Sequence, residues 1–131
     1  MKKILMSVLL FSGMVMTEYV AGNLVVNNMV VNGNAVLSGS EITHVSLNGS
    51  LEGRSATFGT ITGNGTVILK SSTADAITLS NPTIGPSDTP ITLDASIVAQ
   101  DVTFTGAYGT VLVKNGGAVN GSVINGHIVN G

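Results

Sequence analysis

The dipeptide Asn-Gly begins at positions 32, 48, 64, 115, 120, 125 and 130. Both of its residues accept positive φ, so it ordinarily marks the two-residue turn of a β-hairpin. Spacing rules that reading out here. Near the C-terminus, Val119-Asn120-Gly121-Ser122-Val123 is followed by Ile124-Asn125-Gly126-His127-Ile128 and then by Val129-Asn130-Gly131, a period of five. Corners that close leave too little chain between them for hairpin strands. Near the N-terminus, Val31-Asn32-Gly33-Asn34-Ala35-Val36 is followed by Leu37-Ser38-Gly39-Ser40-Glu41-Ile42, a period of six. Leu47-Asn48-Gly49 and Leu51-Glu52-Gly53 add two more apolar-polar-Gly units. Short straight segments joined by corners that turn in one sense suit a solenoid, whose coils stack and pair their backbones. Asn residues at equivalent corners can then form side-chain ladders.

The rest of the chain agrees with strands. Val67-Ile68-Leu69, Ile77-Thr78-Leu79, Ile91-Thr92-Leu93, Val102-Thr103-Phe104-Thr105 and Val111-Leu112-Val113 place apolar side chains two apart, on one face of an extended segment. Helical periodicity is absent beyond the first 22 residues. Pro82, Pro86 and Pro90 all fall in Asn81 to Pro90, which reads as a loop. The expected fold is therefore all-β, a single-domain parallel β-helix. At roughly 18–24 residues per coil, residues 23–131 make about five coils. At about 4.8 Å per coil the body is roughly 25 Å long. The alternative is an antiparallel β-sandwich, whose strand spacing resembles that of the runs starting near 67, 77, 91, 102 and 111. Val102 and Phe104 should point inward with Val111 and Val113, and Thr103 and Thr105 outward.

The Val-Asn-Gly and Leu-Asn-Gly units in residues 25–67 and 116–131 resemble those of bactofilins, polymer-forming bacterial proteins with a small β-helical core. The resemblance implies head-to-tail filament assembly and brings no catalytic residues.

The first residues read as a targeting segment. Met1-Lys2-Lys3 is basic, Ile4 to Met16 is apolar apart from Ser7, Ser12 and Gly13, and Val20-Ala21-Gly22 supplies small residues for cleavage. That is the layout of a secretory signal peptide over residues 1–22, and the apolar run is shorter than the roughly 20 residues a membrane helix needs. Residues 23–131 are then a secreted domain, extracellular or at a bacterial cell surface, with no transmembrane segment.

Composition excludes several chemistries. The chain of 131 residues is 44% hydrophobic and 9% charged, with a formal charge of −2 and no cysteine. It can fill a core, it lacks the basic face that nucleic acid requires, and it has neither disulfides nor thiolate chemistry. His44 and His127 stand far apart in sequence, without a His or carboxylate at ligand spacing. Asp75, Asp88, Asp94 and Asp101 are separated by apolar strands, whereas calcium needs converging carboxylates. Gly63-Asn64-Gly65 fits a corner better than a dinucleotide loop. Thr60-Ile61-Thr62 and Thr103-Phe104-Thr105 are two Thr-x-Thr units, too few for an ice-binding face. No catalytic set, metal or cofactor is expected.

The functional expectation is a structural subunit of an extracellular or surface fibre or matrix. The segment Asn23 to Val31 already reads as strand, and Val119 to Val129 as a repeat with no cap or charge cluster, so both ends could act as templates for pairing. The expected partner is a second copy, meeting head to tail through Val25, Val26, Val30, Val31 and Val36 at one end and Val119, Val123, Ile124, Ile128 and Val129 at the other. The alternative is a monomeric adhesin or carbohydrate-binding module for surface polysaccharide. Against it, the aromatics after residue 22 are only Phe58, Phe104 and Tyr108.

Overall fold

A computed structural model describes residues 2–3, 9–11, 14–22, 24–80 and 90–131. The chain is a parallel β-solenoid. The first coil is β4 (Leu24–Ser38), the second β5 (Glu41–Arg54) and the third β6 (Thr57–Lys70). The fourth comprises β7 (Thr73–Ser80) and β8 (Ile91–Asp94). The fifth comprises β9 (Ile97–Val98), β10 (Val102–Thr105) and β11 (Gly109–Lys114). The sixth comprises β12 (Ala118–Val119), β13 (Val123–Ile124) and β14 (Gly126–Asn130). Ahead of these, β2 (Leu9–Phe11) and β3 (Met14–Gly22) lie on the outer edge of the first coil, and β1 (Lys2–Lys3) pairs with β3. Pairing between successive coils is parallel throughout the described residues, which excludes the antiparallel sandwich.

The repeat is shorter than expected. Asn32 and Asn48, one coil apart, are 16 residues apart in sequence, as are Ala56 and Ser72. Later coils lengthen, with separations of 24 between Ser72 and Ser96 and 21 between Asp101 and Ser122. From Leu24 onward the chain makes six turns rather than about five. Each face needs only two inward side chains, and the corners turn the chain within two or three residues. The periods of five and six are not the repeat: Asn115 and Asn125 take left-handed φ values of 53° and 58°, and Asn120 between them does not.

On each face one inward column runs through all six coils. One runs Val26, Ile42, Phe58, Ala74, Val98, Val119; the second Met29, Val45, Ile61, Ile77, Val102, Val123; the third Ala35, Leu51, Val67, Ile91, Val111, Ile128. All but the last member of each column are buried in one continuous core, against which Val119 and Val123 pack. As expected, Val102, Phe104, Val111 and Val113 are buried, Thr103 is half-buried and Thr105 exposed. Strand alternation decides this directly, because a run with apolar residues two apart buries one set.

One corner column was invisible in the dipeptide pattern. Gly39, Ser55, Ser71, Ala95 and Asn115 all have φ between 50° and 60°. Each of the first four donates its N–H to the carbonyl one coil on: to Arg54, Lys70, Asp94 and Lys114 at 2.9–3.0 Å. Residue types other than Gly and Asn tolerate the left-handed cost of about 1–2 kcal/mol here because the stacked corner satisfies the backbone. Just past it lie the buried hydroxyls of Ser40, Ser72 and Ser96. Ser72 Oγ accepts from the Ala56 N–H and donates to the Lys70 carbonyl; Ser96 Oγ accepts from Ser72 N–H and donates to Asp94. The Asn-Gly corners at 32, 48 and 64 stack as expected, with Asn48 Nδ2 donating to Asn32 Oδ1 at 3.1 Å. There a Cβ on Gly49 would lie 1.9 Å from the Gly33 carbonyl oxygen, so the backbones approach as only glycine permits.

Residues 81–89, most of the Pro-rich stretch, lie outside the described residues. The separation of 24 between Val67 and Ile91 places an eight-residue excess over the 16-residue coil between β7 and β8.

Candidate assembly site at the terminal coils

A solenoid leaves two ends where backbone donors and acceptors have no coil to pair with. In the sixth coil, β12, β13 and β14 pair, among the described residues, with β9, β10 and β11 alone. Val102 N–H donates to the Ser122 carbonyl at 2.9 Å, and Gly109 N–H to the Asn125 carbonyl at 3.1 Å. In a trans peptide the N–H opposes the C=O, so the Val123 and Gly126 N–H groups point away from the fifth coil. Among the described residues nothing lies on that outer edge. Among the described residues nothing covers the bore there either: Val119 and Val123 are half-buried, and Ile128, in line with buried Val111, is 43% exposed.

The expected interface residues divide into two kinds. In the first coil, Val26 and Val31 are buried in the bore. Val25, Val30 and Val36 face outward, one on each face; Val30 is 40% exposed and the other two half-buried. In the last coil, Val119, Val123 and Ile128 belong to the inward columns, whereas Ile124 and Val129 face outward and are exposed. The outer edge of β4 is occupied in the full chain: Leu9 to Phe11 pair with Leu24 to Val26, and Met14 to Gly22 with Met29 to Ser38.

Other candidates do not come together. The Asp94 carboxylate accepts from Asn115 Nδ2, and Asp101 Oδ1 accepts from the Ser122 N–H, so each tethers a neighbouring coil. Asp88 lies outside the described residues. His127 stacks on Tyr108 with ring centroids 5.3 Å apart, while His44 is half-buried at the corner beside Thr60. Among the described residues no three His, Cys, Asp or Glu side chains are grouped as a metal would require. The cations from residue 24 onward, Arg54, Lys70 and Lys114, fall in one corner column with Asp94, an alignment that linear sequence conceals. Among the described residues no helix is long and apolar enough to cross a membrane.

The fold thus defines a parallel β-solenoid of stacked repeats. No family model, curated protein or solved structure matches this chain.

Proposed function

We propose that this chain is a structural subunit of an extracellular or cell-surface fibre, formed head to tail once residues 1–22 are removed. The observation that carries the reading is the C-terminal coil, with outward-pointing backbone N–H groups on β13 and β14 and exposed Ile124, Ile128 and Val129 around an unclosed bore. Unpaired strand edges recruit further strands, and each fully buried Val or Ile adds roughly 1.5–3 kcal/mol. Removal of residues 1–22 vacates the outer edge of β4, the complementary end. The two ends are different surfaces, so their contact is heterologous and propagates as a line.

Electron microscopy of the purified chain beginning at Asn23 tests the reading. Filaments of one subunit's width are expected. A chain with Val123→Pro and Ile128→Lys should lose them while keeping its β-sheet circular dichroism, because proline deletes an outward N–H and lysine charges the bore opening. A wild-type chain that remains monodisperse at high concentration would overturn the proposal in favour of a monomeric adhesive module.

A further inference from the structure

We infer that the junction between subunits has a single register, fixed by matching columns on all three faces. This rests on the head-to-tail reading and adds its geometry. Outward residues form three columns of their own. The first runs Val25, Glu41, Thr57, Thr73, Ile97, Ala118. The second runs Val30, Ser46, Thr62, Thr78, Thr103, Ile124. The third runs Val36, Glu52, Ile68, Thr92, Leu112, Val129. With residues 1–22 removed, each column begins and ends on an apolar residue. In the second column every position between is a hydroxyl. Ile68, Ile97 and Leu112 are apolar within the columns as well, but from Leu24 onward only the first and last coils are apolar outward on all three faces at once.

Stacking a second copy so that the columns continue sets Val25 beside Ala118, Val30 beside Ile124 and Val36 beside Val129. Those are cross-strand apolar pairs of the kind that stabilise sheets. Inside, Val26 follows Val119, Met29 follows Val123 and Ala35 follows Ile128. A slip of one residue would turn the outward set into the bore. Rotation by one face would keep apolar residues in contact but stack unlike corners. The two-residue corner at 27–28 differs from the glycine-centred corner at 32–34 and from the left-handed corner at Gly39. Mismatched corners leave backbone groups without partners, which opposes the rotated form. In the uncut chain the register partners of Val25, Val30 and Val36 are Leu10, Val15 and Val20. The last coil of an incoming copy offers the same kind of residue at those three places.

Cysteine cross-linking reads the register, since the chain has no cysteine of its own. Neighbouring parallel strands stand about 4.8 Å apart, within the Cα separation of about 4.4–6.8 Å that a disulfide spans. In the chain beginning at Asn23, Val30→Cys combined with Ile124→Cys should give a ladder of covalent oligomers on mild oxidation, collapsing on reduction. Mixing the two single variants should give dimers and stop there. The rotated pairings, Val30→Cys with Val129→Cys or with Ala118→Cys, should give at least tenfold less cross-linking. Filaments that form normally yet cross-link through a rotated pairing, or through none of the three, would overturn the register and leave the fibre standing. Absence of filaments from the cysteine-free chain would overturn both.

Discussion

Gly53 lies against the ring of Phe58: a Cβ at position 53 would stand 2.5 Å from Cε2 and 3.0 Å from Cζ. The inward column at this level alternates Leu37, Gly53, Leu69, so the bare backbone of the second coil makes room for the ring of the third. The same device recurs at Phe104, whose ring would collide with a Cβ on Gly109 at 2.3 Å or on Gly126 at 2.6 Å. Small opposite large is how a bore of fixed width accepts aromatic side chains.

Gly53→Ala should therefore destabilise the fold by about 1–3 kcal/mol, the usual cost of overpacking. Urea denaturation of the two chains measures it. Adding Phe58→Leu to Gly53→Ala should recover part of the loss, because the smaller side chain vacates the disputed space. If the double variant is less stable than either single one, the two residues are not in the steric relation described.

Phe104 and Thr103 test the strand facing. Phe104 is 2% exposed, and Phe104→Ala should cost about 3–5 kcal/mol. Thr103, half-buried on the outside in the hydroxyl column, should lose much less on Thr103→Ala. Equal losses in denaturant midpoint would place the strand one residue out of register.

The strands were legible because Val102-x-Phe104 and Val111-x-Val113 alternate, and alternation alone decides facing. The 16-residue repeat was present as Asn32, Asn48 and Asn64, yet local five- and six-residue echoes of apolar-x-Gly obscured it. Those echoes arise because each face of a coil is itself short. The corner through Ser55, Ser71 and Ala95 had no signal to read, since those residue types do not announce left-handed φ and are held there by bonds to the next coil. Val25, Val26, Val30, Val31 and Val36 lie in β4, and Val119, Val123, Ile124, Ile128 and Val129 in the sixth coil. Their division into bore and surface sets, and the alignment of Val30 with Ile124, needed the register between coils, which no single segment carries.

The buried serine column predicts a specific polar cost. Ser72 Oγ accepts from the Ala56 N–H at 3.1 Å and donates to the Lys70 carbonyl at 2.8 Å. Ser72→Ala leaves that N–H without its acceptor, a loss of about 1–3 kcal/mol. Its neighbour Ser71 is exposed, with φ of 50°. Ser71→Gly relieves left-handed strain and should be neutral or stabilising by up to about 1 kcal/mol. Thermal melts of the pair should move in opposite senses, or at least differ by several degrees. Equal destabilisation would show that the hydroxyl contributes nothing beyond general disruption of the corner.

Residues 1–22 should block assembly for as long as they stay attached. In the full chain, β2 and β3 pair along the outer edge of β4, from Leu9 with Leu24 to Gly22 with Ser38. That is the edge the proposal assigns to an incoming subunit, so a chain that retains β3 in place has one end occupied and one end open. Two such chains cannot continue each other's bore without displacing it. Full-length protein purified without processing should therefore remain monomeric or form short, ill-defined oligomers, whereas the chain beginning at Asn23 should lengthen into filaments under the same conditions. Adding full-length protein to growing filaments should stop growth at one end: its open last coil docks on a filament's exposed β4 edge, and its own β4 edge, already paired with β2 and β3, is not available to the next copy. The contact is built from backbone pairing and Val/Ile burial, so raising salt to about 1 M, where the Debye length falls to about 3 Å, should leave filament yield unchanged. Light scattering follows growth, and a substoichiometric dose of full-length chain should shorten filaments in proportion to its amount. Full-length protein that polymerises as readily as the shortened chain, or filaments that dissolve in salt, would show that the β4 edge is not the acceptor.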